Sequence, residues 1–107
     1  MAQINKVELQ GIVGQAKAYP AAGGLNVVKF SLATDYCYKS KDGMVVIDTT
    51  WHSVSVLETK PNELDWIQRG AGLHLTGRLR TVRFCDSNGI DRTVVEIVAE
   101  HINQVKE

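Results

Sequence analysis

Apolar and polar side chains alternate position by position through segment after segment of this 107-residue chain. A period of two puts neighbouring side chains on opposite faces of an extended backbone. Such segments bury themselves as strands with one dry and one wet face. From Ile4 to Val13, Val7, Leu9, Gly11 and Val13 share one side, and Lys6, Glu8 and Gln10 the other. Asn26 to Thr34 turns Val28, Phe30 and Leu32 inward and Lys29 and Ser31 outward. Asp48 to Leu57 places His52, Val54 and Val56 on the expected core side, opposite Thr49, Trp51, Ser53, Ser55 and Leu57. Leu73, Leu75, Gly77 and Leu79 alternate with His74, Thr76, Arg78 and Arg80. Arg92 to Ile102 closes the series with Val95, Ile97 and Ala99 inward and Val94 and Val98 outward.

Turn chemistry separates these strands. Pro20 to Gly24, Asp42-Gly43 and Asp86-Ser87-Asn88-Gly89 supply the proline, asparagine, aspartate and glycine that tight reversals need. Only Pro61 to Gly70 breaks the period. Proline near its start, acids in the first turn, Arg69 in the last and Gly70 in a left-handed cap position predict one short helix there. Strand, strand, strand, helix, strand, strand, with Gly11 and Gly77 on core faces where a barrel must bend, predicts an all-β fold with one short helix. The expected architecture is a five-stranded Greek-key OB-fold barrel, as a single domain over residues 1–107 without a separate C-terminal tail.

Composition narrows the function. Twelve lysines and arginines balance twelve aspartates and glutamates, so bulk charge selects no partner. The distribution does: from Trp66 to Cys85 there is no acid, while Arg69, His74, Arg78, Arg80 and Arg83 form a basic stripe. Cys37 and Cys85 are too few for a disulfide scaffold and lack C-x-x-C spacing, so reduced thiols are expected. No apolar run nears the roughly 20 residues that span a bilayer, and residues 1–6 lack the features of a signal or transit peptide. The expected location is the cytoplasm, in association with the nucleoid, with no membrane partner. The spacings of Cys37, Cys85, His52, His74 and His101 match no compact zinc pattern, and no Walker or Rossmann glycine loop occurs. Neither metal, cofactor nor catalysis is expected.

Trp51 is the anomaly, a large ring on a face of threonine and serines. It can serve as a packing residue under a loop or subunit, or as a platform for a ligand. Tyr36 and Tyr38 beside Lys39 and Lys41, and Phe84 beside Arg83, favour the second use. Rings interleaved with cations suit single-stranded nucleic acid, whose bases stack at about 1–3 kcal/mol each while cations follow the phosphates. Trp66, with Leu64 and Ile67, reads as a packing residue. His52 reads as a satisfied interior or interface histidine.

Asn5-Lys6-Val7, Phe30-Ser31-Leu32-Ala33-Thr34, Thr50-Trp51-His52, Gly77-Arg78-Leu79-Arg80-Thr81, Asp86-Ser87-Asn88-Gly89 and Thr93-Val94-Val95-Glu96-Ile97-Val98 occur in this order. Together they resemble the bacterial single-stranded DNA-binding protein family. The resemblance implies base stacking on Trp51, Tyr38 and Phe84, and phosphate contacts from Lys6, Arg80 and Arg83. Lys29, Lys39, Lys41 and Arg78 join these by location. It further implies a homotetramer, with a dimer as the alternative, and places His52 at a subunit contact. Outward Val94 and Val98 would suit burial in such an assembly.

Two departures stand out. Leu57 occupies a position where the family carries a further aromatic, and Gly14-Gln15-Ala16-Lys17 replaces an acidic-proline-arginine segment. The sequence also stops at Glu107 without the family's flexible, acidic-tipped tail, so tail-mediated recruitment of replication proteins is not expected. The reading is largely sequence-nonspecific binding of single-stranded DNA in replication, recombination or repair, without enzymatic activity. The alternative is a tailless OB-fold replication accessory or a protein-interaction module with weak nucleic-acid affinity.

Overall fold

The structure, a computed structural model, describes residues 1–106. Five strands form it: β1 (Val7–Pro20), β2 (Asn26–Lys39), β3 (Val45–Leu57), β4 (Gly72–Cys85) and β5 (Asp91–Val105). They close into a barrel in the order β1-β2-β3-β5-β4. All neighbours are antiparallel except β3 and β5, which run parallel and meet only at Val54↔Ile97 and Ser55↔Val98. β1 serves two neighbours in turn, pairing with β4 through Val7–Ile12 and with β2 from Ile12 onward. This is the expected five-stranded barrel.

Period-two patterning explains the interior. Val13, Val28, Phe30, Leu32, Val54, Val56, Leu73, Leu75, Ile97 and Ala99 are all buried, each on the face its alternation assigned. Pairing brings Phe30 opposite Val54 and Leu32 opposite His52, so cross-strand neighbours fill the same layers. Gly77 is needed where β4 and β5 slip register between Thr76 and Gly77. A Cβ there would overlap the Val98 carbonyl oxygen.

Two expectations change. Residues 61–70 break the sheet as predicted but form a chain of turns, not a helix. Their amides bond three residues back, as in Ile67 N–H to the Leu64 carbonyl at 3.0 Å, and Asn62 at φ 62° interrupts any continuous helical run. Leu64 and Ile67 still bury, Trp66 packs beside them, and Gly70 takes the left-handed conformation expected of it, φ 90°. Secondly, Leu79 and Val95 keep the inward parity yet are exposed. Their strands run on past the barrel wall as a two-stranded arm, paired from Arg78↔Val98 out to Cys85↔Asp91. β2 and β3 build a second arm, paired out to Lys39↔Val45.

Glu58 was not anticipated. It is 1% exposed and holds the turn segment to the barrel. Its Oε1 accepts the Asn26 amide at 2.8 Å and its Oε2 the Leu64 amide at 3.4 Å.

Candidate nucleic-acid interface

β3 presents Trp51, Ser53, Ser55 and Leu57 outward, and the ladders extend that face over the sheet. Opposite Ser53 lies Ser31, and opposite Ser55 lies Lys29. Ser55 also meets Val98, which in turn pairs with Arg78, while Arg80 pairs with Glu96 and Val82 with Val94. Phe84 keeps the parity of Arg78 and Arg80, because no bulge occurs on β4 beyond Gly77.

Trp51 is 60% exposed, and its ring lies over Gly14 of β1. Gly14 makes that possible: a Cβ there would collide with the ring and would come within 2.8 Å of the Ser31 hydroxyl. Ser31 Oγ in turn accepts the Gln15 amide at 3.0 Å, tying β1 beneath the ring to β2. Trp51 is therefore seated on one edge while its free face is open to solvent. Leu57, six residues on, shares that face and is also exposed.

Beside the ring runs a groove of about 800 Å³, lined by Gly14 to Lys17 and Tyr19 of β1 and by Lys29 to Ser31 of β2. Ser53 and Val54, the turn residues Ile67 to Arg69, and Val94 to Glu96 complete it. Lys17, Lys29 and Arg69 make its rim cationic, and Lys17 Nζ sits 5.3 Å from the centre of the Tyr19 ring. Lys17 and Tyr19 enter the site only through the structure, which also sets Arg69 of the basic stripe across the groove from them. Their signal was present, a tyrosine beside a lysine and an arginine before a glycine, but only the closed barrel brings residues 14–19 next to 67–69.

Of the expected residues, Trp51, Lys29, Arg78, Arg80 and Phe84 share the outward face, and Lys39 has the same parity farther out on the β2–β3 arm. Tyr38 does not join them. It pairs with Val46, on the parity of Phe30 and Leu32, so it lies on the opposite side of the ribbon from Trp51. Its ring is 6.1 Å from that of Tyr36, forming a tilted pair on the exposed arm. Arg83, of the same parity as Leu79 and Thr81, likewise faces away from Arg78 and Arg80. Lys41 is in the arm's turn. Lys6 lies in a small hollow with Asn5, Thr76, Gly77, Glu100 and His101, outside the groove lining. Its neighbour Asn5 bridges to Leu79, donating to the carbonyl at 2.8 Å and accepting from the amide at 2.9 Å.

His52 is half-buried, its Nε2 hydrogen-bonded to the Thr34 hydroxyl at 2.8 Å. Val98 is half-buried in the wall, whereas exposed Val94 lines the groove. Cys37 and Cys85 are free and exposed. Among the described residues no three histidine, cysteine, aspartate or glutamate side chains gather, and no helix is long and apolar enough to cross a membrane.

Comparison with known proteins bears on this surface. The profile of the Single-strand binding protein family matches residues 4–105. The chain belongs to that family. Among curated relatives, the mitochondrial single-stranded DNA-binding protein 1-A of Xenopus laevis is 34% identical over 109 residues, covering 92% of this chain and 75% of that one. The single-stranded DNA-binding protein of Xylella fastidiosa is 32% identical over 105 residues, 95% of this chain and 63% of that one. A Plasmodium falciparum SSB, solved in complex with single-stranded DNA, superimposes with a TM-score of 0.78 at 24% identity, over 99% of this chain and 98% of that one. That likeness establishes the shared barrel.

Proposed function

We propose that this protein binds single-stranded DNA largely without regard to sequence, as a non-enzymatic partner in replication, recombination or repair. The observation that carries the reading is Trp51: a mostly solvent-facing side chain, seated over Gly14, which itself lines the cationic groove. Exposed aromatic area of this kind suits stacking on a base, and only unpaired strands offer base faces. Phe84 extends the stacking surface along β4. Lys17, Arg69 and Arg78 supply charge for phosphates, and Lys29, Arg80 and Lys39 lie along the same face.

Tyr38, Arg83, Lys41 and Lys6 are proposed contacts for a strand that leaves this face and wraps the arms or the barrel end. A path around the barrel agrees with their exposure. Oligomerisation as a homotetramer, with a dimer as the alternative, is supported by family membership and by the exposed apolar side chains of both arms, among them Tyr36, Val45, Ile47 and Val95. His52 and Val98 are the proposed contact residues. Val94, exposed in the groove lining, joins them. The proposed location is the cytoplasm, in association with the nucleoid, on the likeness to the bacterial relative.

Titration of labelled oligo-dT against the protein, with unlabelled duplex and oligo-U as competitors, tests the reading. Saturable binding displaced by single strands and not by duplex is the expected result. Absence of binding at low salt, together with retention of a protein partner, would instead establish the interaction-module reading that Leu57 supports.

A further inference from the structure

Among the described residues, Glu96 is the one acid in the groove lining. Its side chain is only 12% exposed, and it bridges two of the cations on this face. One carboxylate oxygen accepts from Arg80 Nη2 at 3.2 Å and from the Ser55 hydroxyl at 3.2 Å. The other lies 3.8 Å from Lys29 Nζ. Ser55 is itself buried in the β3 wall, so the carboxylate is fixed to the barrel and is not free to swing into solvent. Arg78, the next arginine on the same face, has no carboxylate within salt-bridge distance among the described residues.

We infer that Glu96 is a built-in counter-ion that withholds Lys29 and Arg80 from the DNA backbone and so sets the affinity and salt dependence of this groove. The inference rests on the proposed DNA-binding role of the face and deepens it. In the free protein the two cations and the carboxylate amount to one net positive charge where two would otherwise meet a phosphate. Because the carboxylate is anchored by Ser55, it stays in place when a strand arrives. A phosphate approaching Lys29 or Arg80 then meets a like charge a few ångströms away, which at effective dielectrics of about 20–80 is worth roughly a tenfold change in binding. The groove thus holds single strands loosely around Glu96 and relies on Trp51, Lys17 and Arg69.

Glu96→Gln tests this on the full chain. The amide keeps a carbonyl oxygen for Ser55 and Arg80, so the geometry is retained while the charge is lost. With fluorescently labelled oligo-dT followed by anisotropy across a salt series, the variant is expected to bind about tenfold more tightly at low salt. The slope of log affinity against log salt should steepen by about 0.7 for each cation released to a phosphate. Equal or weaker binding with an unchanged slope would overturn the inference, since Glu96 would then be positioning the cations for DNA. A wild-type chain that does not bind oligo-dT would overturn the DNA-binding role as well, so the two failures are distinguishable. If Glu96→Gln does not fold, Arg80→Gln decides the matter. A wild-type salt slope retained in that variant supports the withheld cation, and a slope shallower by about 0.7 refutes it.

Discussion

Replacing Trp51 by alanine separates a binding residue from a packing residue. Trp51 is 60% exposed, leaving two-fifths of its surface covered, part of it by Gly14 beneath the ring. For a side chain that buries at most about 250 Å², this covered part is about 100 Å², and at about 25 cal/mol/Å² the stability loss is at most about 2.5 kcal/mol. Loss of one stacked base costs about 1–3 kcal/mol of binding, or a roughly 5- to 150-fold weaker complex. Anisotropy of labelled oligo-dT is the suitable assay, because the substitution removes one of only two tryptophans and would confound intrinsic fluorescence. Thermal unfolding of the same sample confirms that it is folded. Trp66→Ala is the control: that ring packs against the buried core, so it should lower stability and leave the affinity of the folded fraction within about twofold. A folded Trp51→Ala protein that binds oligo-dT within twofold of wild type would refute the assignment of this face.

Three further outcomes are expected. Glu58→Ala leaves the buried amide of Leu64 and the part-buried amide of Asn26 without their acceptor, at about 1–3 kcal/mol for a buried unsatisfied donor and less for the part-buried one, so denaturant midpoints should fall. Gly77→Ala forces a Cβ onto the Val98 carbonyl at the register slip and should cost about 1–3 kcal/mol or more, read by the same unfolding curves. Asp86 accepts from the Arg92 side chain at 2.6 Å and from the amides of Ile90 and Asn88 at 3.0 and 2.9 Å, Arg92 contributing most to holding its carboxyl below the ordinary value of 3.8. A depressed folded-state value stabilises the turn above the unfolded range and loses that effect as pH falls through the folded value. Amide exchange at Ile90 should therefore stay protected down to the ordinary aspartate range and rise only below it; a transition above that range would contradict the hydrogen-bond geometry.

Much of the barrel was legible because alternation and turn chemistry are local. The parity of β3 foretold which face Trp51 occupies, and Gly77 marked the place where β4 slips register against β5. What sequence reading missed depends on contacts between distant segments or on where a strand leaves the wall. Parity gave Leu79 and Val95 the correct face but could not show that no opposite wall covers them. Proline, acids and glycine around residues 61–70 were read as a helix, yet Asn62 takes a left-handed conformation and Glu58 reaches in to hold the Leu64 amide. Aromatic-beside-cation reasoning grouped Tyr38 with Trp51, although continuous pairing puts them on opposite sides of the β2–β3 ribbon. The same proximity logic passed over Lys17 and Tyr19, whose neighbours across the groove come from the far side of the chain.

The most direct test isolates the Trp51 signal. In a Trp66→Phe chain, Trp51 is the sole tryptophan, and its fluorescence reports the proposed stacking site without interference. Titration with oligo-dT at low and moderate salt should quench this emission saturably, with affinity falling as salt rises by about 0.7 log units per tenfold salt for each phosphate contact. Emission that stays unchanged while anisotropy shows oligo-dT bound, or the absence of any binding at low salt, would contradict the account.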